Sequence, residues 1–434
     1  MNINDNSFLC GYFSIDGKIS ADIAKGINPE CLQKWIPLQY PEEQISRHSN
    51  FFYPEFVDFC TRVRRRYRFP VDKFVSIPLK GGDNCSFHVN DIHRERCRAV
   101  SAGGDNCSFH VNDITAYLYP YDILLFAIHI EFTDTDADIV LSALTALRNC
   151  CFYEGKGLDE FISVCIDPLK RLYCGLGGAQ KAPDTSRLVE NGNKFKIFHI
   201  VESEDLSDEF LFSCATLRNR YSDSSASFRR EYSEKIIAEN SLKIHEDWKA
   251  LMLLDTVTFC TDKLSEFIKG IWMRNYFGMI YQYELYRKTY LYRQNLLFRS
   301  RAEKPEVLHE QMKCFERKYS FSNISYNFLP NDVDKAIEHG LGTEDVQREV
   351  YQAINQEAES MRTERELRSN IFLTFLTCVA SFSAVWDISC MVDAMFDYET
   401  AFQYSTSGYR VVVSVLVAII MAVLLITRIK KNKS

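Results

Sequence analysis

Two stretches near the end of the chain carry no charged residue: 369–386, SNIFLTFLTCVASFSAVW, and 411–427, VVVSVLVAIIMAVLLIT. Each is about long enough to cross the roughly 30 Å hydrocarbon core of a bilayer as an α-helix. A buried hairpin of a soluble protein is the competing reading.

Upstream the pattern shortens. Residues 8–15 (FLCGYFSI), 73–79 (KFVSIPL), 115–121 (TAYLYPY), 122–132 (DILLFAIHIEF), 161–166 (FISVCI) and 194–201 (KFKIFHIV) are rich in branched and aromatic side chains and predict strands. Residues 137–151, ADIVLSALTALRNCC, repeat their apolar positions at helical spacing. Residues 1–220 therefore read as an α/β or α+β domain, ending at the polar run RNRYSDSSASFRR (218–230).

Residues 221–342 predict a short strand pair around 250–259, a long Tyr- and Phe-rich helix over 264–300, and another helix over 304–318. Thr343 can cap a further helix, whose first turn holds Glu344 and Asp345, and neither glycine nor proline occurs from 343 to 407. That helix would run through a charged stalk (343–368) into a first span (369–391). An external loop (392–408), a second span (409–427) and a basic tail (428–434) would come after it. The expected architecture is an α/β cytoplasmic domain, long stalk helices and a C-terminal two-helix transmembrane hairpin.

Charge orients this hairpin. Arg362, Arg365 and Arg368 precede the first span, and Arg428, Lys430, Lys431 and Lys433 follow the second. The connecting region holds Asp387, Asp393, Asp397 and Glu399. By the positive-inside rule both termini are cytoplasmic, as in a multi-pass inner-membrane protein, and the acidic residues form an external mouth. The N-terminus lacks a basic region leading into an apolar core, so no signal peptide is expected. Fifteen irregularly spaced cysteines in a reducing compartment read as small core residues rather than a disulfide framework.

Along the first span, Asn370, Thr374, Thr377 and Ser381 recur at steps of four, three and four and so share one helix face. Such a stripe suits a water-filled pore; bonding of these groups to their own helix or a neighbouring one is the alternative. The second span, with only Ser414 and Thr427 polar, suits contact with lipid.

A soluble domain, long helices, one very long helix entering the membrane, a short external loop, a second span and a basic tail together resemble the CorA family of pentameric metal-ion channels. The likeness covers roughly residues 240–434. It implies a homopentamer in the lipid bilayer, a pore lined by the first span, and a permeant metal cation. The Gly-Met-Asn signature of that family is absent; the corresponding stretch is AVWDISCMVDAMFDYE, and Gly278-Met279 is followed by Ile280. Magnesium selectivity therefore does not carry over. CorA-like proteins without the signature include a branch beside type III CRISPR systems, which implies gating by a nucleotide second messenger in antiviral defence. A divalent-metal (Mg2+-type) transporter with a divergent mouth is the alternative.

No P-loop and no dinucleotide-binding glycine pattern occurs. The candidate for phosphate contact is RVRRRYR (62–68), where Arg62, Arg64, Arg65, Arg66 and Arg68 place five guanidinium groups in seven residues. A solvated basic face, or contact with the anionic inner leaflet, is the plainer reading. HExxH, GxSxG and the kinase signatures are also missing, so no enzyme, catalytic residue, resident metal or other cofactor is expected, nor direct nucleic-acid binding.

The words GGDNCSFHVNDI occur twice, at 81–92 and 103–114. Cys85 and His88, with Cys107 and His110, imitate the spacing of a zinc site, but strand alternation would point each Cys and His to opposite faces. Deleting 81–102 on paper leaves a strand, a turn and a strand, which favours a recent duplication over a functional repeat.

Overall fold

The computed structural model describes residues 2–14, 34–79, 106–149, 158–177, 194–218 and 228–395. The chain divides into two compact units, one of residues up to 303 with 311–350, the other of 304–310 with the residues from 351 onward.

The first unit is built on a nine-stranded mixed sheet. Its strands are β1 (Asn2–Ser14), β2 (Ile36–Leu38), β3 (Arg65–Pro78), β4 (Asn106–Tyr119), β5 (Ile123–Asp136), β6 (Lys196–Glu202), β7 (Ser241–Leu242), β8 (Trp248–Met252) and β9 (Thr256–Thr261), in the spatial order β2-β3-β4-β5-β1-β6-β9-β8-β7. All pairings are antiparallel except β6 with β9. The sheet runs on past residue 220, where a domain boundary was expected, because β9 pairs with β6 and carries β8 and β7 with it.

The helices are numbered in chain order. They are α1 (Glu42–Ser49), α2 (Pro54–Asp58) running into a π-helical turn π1 (Phe59–Val63), α3 (Ala137–Arg148), and α4 (Asp159–Phe161) continued by π2 (Ile162–Ile166) and α5 (Asp167–Gly177). Next come α6 (Asp208–Thr216), α7 (Arg230–Asn240), and α8 (Glu266–Ile271) continued by π3 (Trp272–Tyr281) and α9 (Gln282–Arg299). The last among the described residues are α10 (Pro305–Tyr319), α11 (Phe328–Leu341) and α12 (Thr343–Met395).

β5 is buried on both faces from Ile123 to Ala127, which is why its sequence reads as an apolar run rather than an alternation. Leu124, Phe126, Ile128, Ile130 and Phe132 face one core, shared with Val140, Leu141, Leu144 and Leu147 of α3. The opposite face meets the α8–π3–α9 rod, where Phe8 of β1 stacks on Phe277 at 3.7 Å and Tyr119 of β4 stacks on Tyr286 at 4.3 Å. The expected long helix over 264–300 is thus present but wound as a ten-residue π-helix in its middle.

FISVCI, read as a strand, is helical. Phe161, Cys165, Ile166, Leu169 and Leu172 are buried together, a spacing of a helix face that becomes visible only past Asp167-Pro168, where the strand reading stopped.

Gly340 lets α11 approach β8. A Cβ there would lie 2.6 Å from Met252 Cβ and 2.7 Å from its carbonyl carbon. Gly340→Ala should therefore cost about 1–3 kcal/mol, the usual penalty for overpacking, read as a lowered urea midpoint. An unchanged midpoint would mean that α11 can shift away freely.

The second copy of the duplicated words enters the sheet: Asn106–Ile114 open β4 and pair with Phe69–Pro78 of β3. The first copy, 81–92, lies outside the described residues. The residues after each copy explain the choice. The second copy leads into Thr115–Tyr119, which bury Ala116 and Leu118; the first leads into HRERC, which would carry charges into the core. Removing residues 81–102 leaves every β3–β4 pairing partner in place, joined through Leu79, Lys80, Gly103, Gly104 and Asp105. The deletion variant should keep its far-ultraviolet circular dichroism and its melting midpoint within a few degrees; loss of folded protein would show the first copy to be needed.

In the second unit α12 continues unbroken to Met395, so the whole helix is roughly 80 Å long at 1.5 Å per residue. Arg365 pairs with Glu306 at 2.8 Å, and His309 hydrogen-bonds Asn355. It is the one described helix long and apolar enough to cross a membrane.

Candidate functional site

The arginine run is sorted by strand geometry. Side chains alternate along β3, so Arg64, Arg66 and Arg68 point to the face under π3, while Tyr67 and Phe69 pack on the opposite core. Arg62, at the end of π1, is exposed and pairs with Asp58 at 3.2 Å; Arg65 is exposed. Three of the five expected arginines are therefore brought together, and Arg62 and Arg65 are not.

Between this face and π3 lies a cleft with two connected parts. The inner chamber, about 220 Å³, is lined by Phe8, Tyr40, Gln44, Arg66, Thr115, Tyr117, His129, Arg274 and Phe277, among others. The outer part, about 520 Å³ and more open, is lined by Leu38, Arg68, Asn112, Asp113, Thr115, His129 and Met273. Asp113 touches both and is held by Arg68 at 2.9 Å.

Arg64 sits behind the inner chamber, 2% exposed. It donates to the carbonyls of Cys60 (3.0 Å) and Gly278 (2.7 Å), and to the hydroxyls of Tyr119 (3.3 Å) and Tyr40 (3.1 Å). Its guanidinium lies 5.1 Å from the Tyr117 ring centre, and that of Arg66 lies 3.6 Å from the Tyr40 ring centre. Among the described residues no carboxylate forms an ion pair with Arg64, Arg66 or Arg274.

The local field shows on the histidines. Burial, then repulsion from Arg274, Arg66 and Arg64, pushes His48 down to about 4. Burial likewise lowers His129 to about 4. Both rings are neutral at pH 7, so the fixed charge of the inner chamber comes from the guanidinium groups.

Arg274, Tyr40, Tyr117 and His129 escaped the sequence reading because they come from separate elements. One local signal existed: Arg274 is the single basic residue in IWMRNYFGMIYQYELY (271–286).

Asn370, Thr374, Thr377 and Ser381 lie on α12 within an arc of about 60°, as 100° per residue requires. The hydroxyls of Thr374, Thr377 and Ser381 donate to the carbonyls of Asn370, Leu373 and Thr377 at 2.7–2.8 Å, so each hydroxyl proton is bonded to its own helix. Each hydroxyl oxygen keeps lone pairs to accept with. Around them Ile371, Phe372, Leu373, Phe375, Leu376, Val379, Phe382, Trp386, Ile388 and Met391 are exposed.

The acidic residues expected at an external mouth are divided. Asp387 is exposed on α12, and the helix passes through position 393 instead of opening into a loop at 392. Asp397 and Glu399, the rest of the expected loop, the second span and the basic tail lie outside the described residues.

Two other features bear on chemistry. His110 and Cys107 fall on opposite faces of β4, Cys107 buried in the core and His110 bonded to Asn112 (2.8 Å) and Asp72 (3.0 Å). Among the described residues no His, Cys, Asp and Glu group is arranged to hold a metal. At the sheet centre, His199 Nδ1 meets Asp5 Oδ2 at 3.2 Å and its Nε2 meets the Thr258 hydroxyl, while Ser7 donates to Asp5. This nucleophile–base–acid set was not legible in the sequence. All four side chains are sealed in the core, so no substrate reaches them, and the network serves to satisfy its own buried polar groups.

Comparison with known protein families, with curated proteins and with solved structures finds no match.

Proposed function

We propose that the chain is a subunit of a CorA-like membrane ion channel, a homopentamer whose cytoplasmic domain gates the pore on binding a nucleotide second messenger. In this reading it serves as an effector of type III CRISPR antiviral defence in the inner membrane. The observation that carries the membrane part is the girdle of ten large apolar side chains exposed on α12 between Ile371 and Met391. Exposing each costs about 1.5–3 kcal/mol relative to burial. A contiguous apolar surface of this extent marks a segment covered by lipid or by a protein partner.

The stripe from Asn370 to Ser381 would line the pore, each hydroxyl bonded to its own helix and offering its oxygen to hydrated cations. Asp387, with Asp393, Asp397 and Glu399, would raise cation concentration at the outer mouth. Residues 409–427 would form the lipid-facing second span, with both termini cytoplasmic. A messenger can open the pore only if it binds the open and closed states with different affinity.

The test is ion flux through full-length protein reconstituted in liposomes, with and without candidate nucleotides. Flux that rises on nucleotide addition supports this reading. Constitutive divalent-cation uptake indifferent to any nucleotide would instead make the chain a transporter with a divergent mouth.

A further inference from the structure

We infer that the cleft between β3–β4 and π3 is a binding site for a small phosphate ester, its phosphate held in the inner chamber by Arg66 and Arg274 and its organic part lying in the outer cleft.

The argument starts from charge. A buried cation is retained only when something compensates it. Arg64 is compensated by two carbonyls and two phenols, all neutral. Arg66 leans on the Tyr40 ring, and Arg274 lines the same chamber. The nearest lining carboxylate, Asp113, is already engaged by Arg68. His129, which lines the chamber, and His48, which feels the same three guanidinium groups, are held neutral. Three guanidinium groups thus gather beside a chamber whose one lining carboxylate, Asp113, is already paired with Arg68. A tetrahedral oxyanion meets that need, because guanidinium forks match phosphate oxygens and Thr115, Gln44 and Tyr117 can add hydrogen bonds.

Size and lining then divide the ligand. The inner chamber is smaller than the usual 300–1,000 Å³ of organic-ligand pockets but ample for a phosphate, whereas the outer part is within that range. The outer part offers what a polar ring system uses: the Asn112 amide, the Asp113 carboxylate, the His129 imidazole stacked on Phe8 at 4.5 Å, and the Met273 side chain. Along π3, Arg274 and Phe277 stand on the chamber wall and the Gly278 carbonyl accepts from Arg64.

Binding at this site stands apart from the channel reading; only the step from binding to pore opening rests on that reading. The experiment is titration of the full chain, in neutral detergent, with inorganic pyrophosphate and with AMP, followed by tryptophan fluorescence and melting midpoint. Wild type should saturate with both probes. Arg66→Gln and Arg274→Gln, made separately so that one folded variant suffices, should each weaken binding by about tenfold or more, as loss of a charge-assisted contact does. Arg62→Gln, outside the cleft, should bind as wild type. Absence of saturable binding to wild type at millimolar probe would overturn the proposal, as would equal affinity of wild type and both cleft variants. A midpoint raised by phosphatidylglycerol in nanodiscs, with no response to either soluble phosphate, would assign the arginines to a lipid headgroup and equally overturn it. Saturable binding without ligand-dependent flux in liposomes would sink the gating reading and leave the site intact.

Discussion

Arg64→Met should cost on the order of 3 kcal/mol of stability, more than any other single change on the sheet face under π3. Methionine fills much the same volume, so the loss isolates hydrogen bonding from packing. The guanidinium donates to four acceptors on four segments: Cys60 in π1, Gly278 in π3, Tyr119 in β4 and Tyr40 ahead of α1. Each acceptor left buried and unpaired costs about 1–3 kcal/mol, and relief from burying a cation returns part of the sum. Arg64→Lys should fall between, since an ammonium on a flexible stem cannot span all four. Urea unfolding of the three proteins reads this order. If methionine matches arginine, the clamp across π1 and π3 is not what holds the cleft together, and the convergence of Arg66 with Arg274 loses its framework.

That clamp also marks where sequence ceases to be legible. The arginine run was visible, and period-two alternation could have split it into Arg64, Arg66 and Arg68 against Arg65, had the run been placed on a strand. The strand expected there began at Lys73, eight residues past the true start of β3, because arginine is a poor strand signal and packing on Tyr117 and Thr115 overrides it. Arg274 and His129 reach the same cleft through strand pairing and the winding of π3, which no local pattern encodes. The apolar helix was legible because about twenty residues without charge need no partner to be recognised. FISVCI was not, because a six-residue apolar run has the same composition in a strand and in a buried helix.

The second large effect is one of pH, and it arises where α9, α11 and the start of α12 meet. Glu284 and Asp334 are buried together, with Arg287 bonded to Glu284 (2.8 Å), Glu338 (2.9 Å) and Gln347 of α12 (3.2 Å). Glu284 and Asp334 lie side by side in this volume and repel each other when both are charged. Burial, only partly offset by Arg287, pushes Glu284 up to about 7, and burial beside Glu284 raises Asp334 in the same direction. In the unfolded chain both ionise near pH 4. A raised folded pKa gives stability that is complete below about pH 4.5 and is lost as pH climbs through 7, by about 1.4 kcal/mol per unit for one proton. His48 and His129 act oppositely: lowered to about 4, they contribute stability above pH 6.5 that is lost as pH falls through 4. The wild-type profile between pH 4.5 and 6.5 should therefore be shallow, with the two effects in opposition. Glu284→Gln keeps the shape of the protonated acid, still accepts from Arg287, and removes the repulsion that raises Asp334. It should match wild type at pH 5 and exceed it by about 2–3 kcal/mol at pH 8, measured by urea unfolding at both values. Parallel behaviour of the two proteins at both pH values would mean that Glu284 is already ionised in the fold. Since Arg287 also holds Gln347, the same proton sets the charge felt at the first turns of α12.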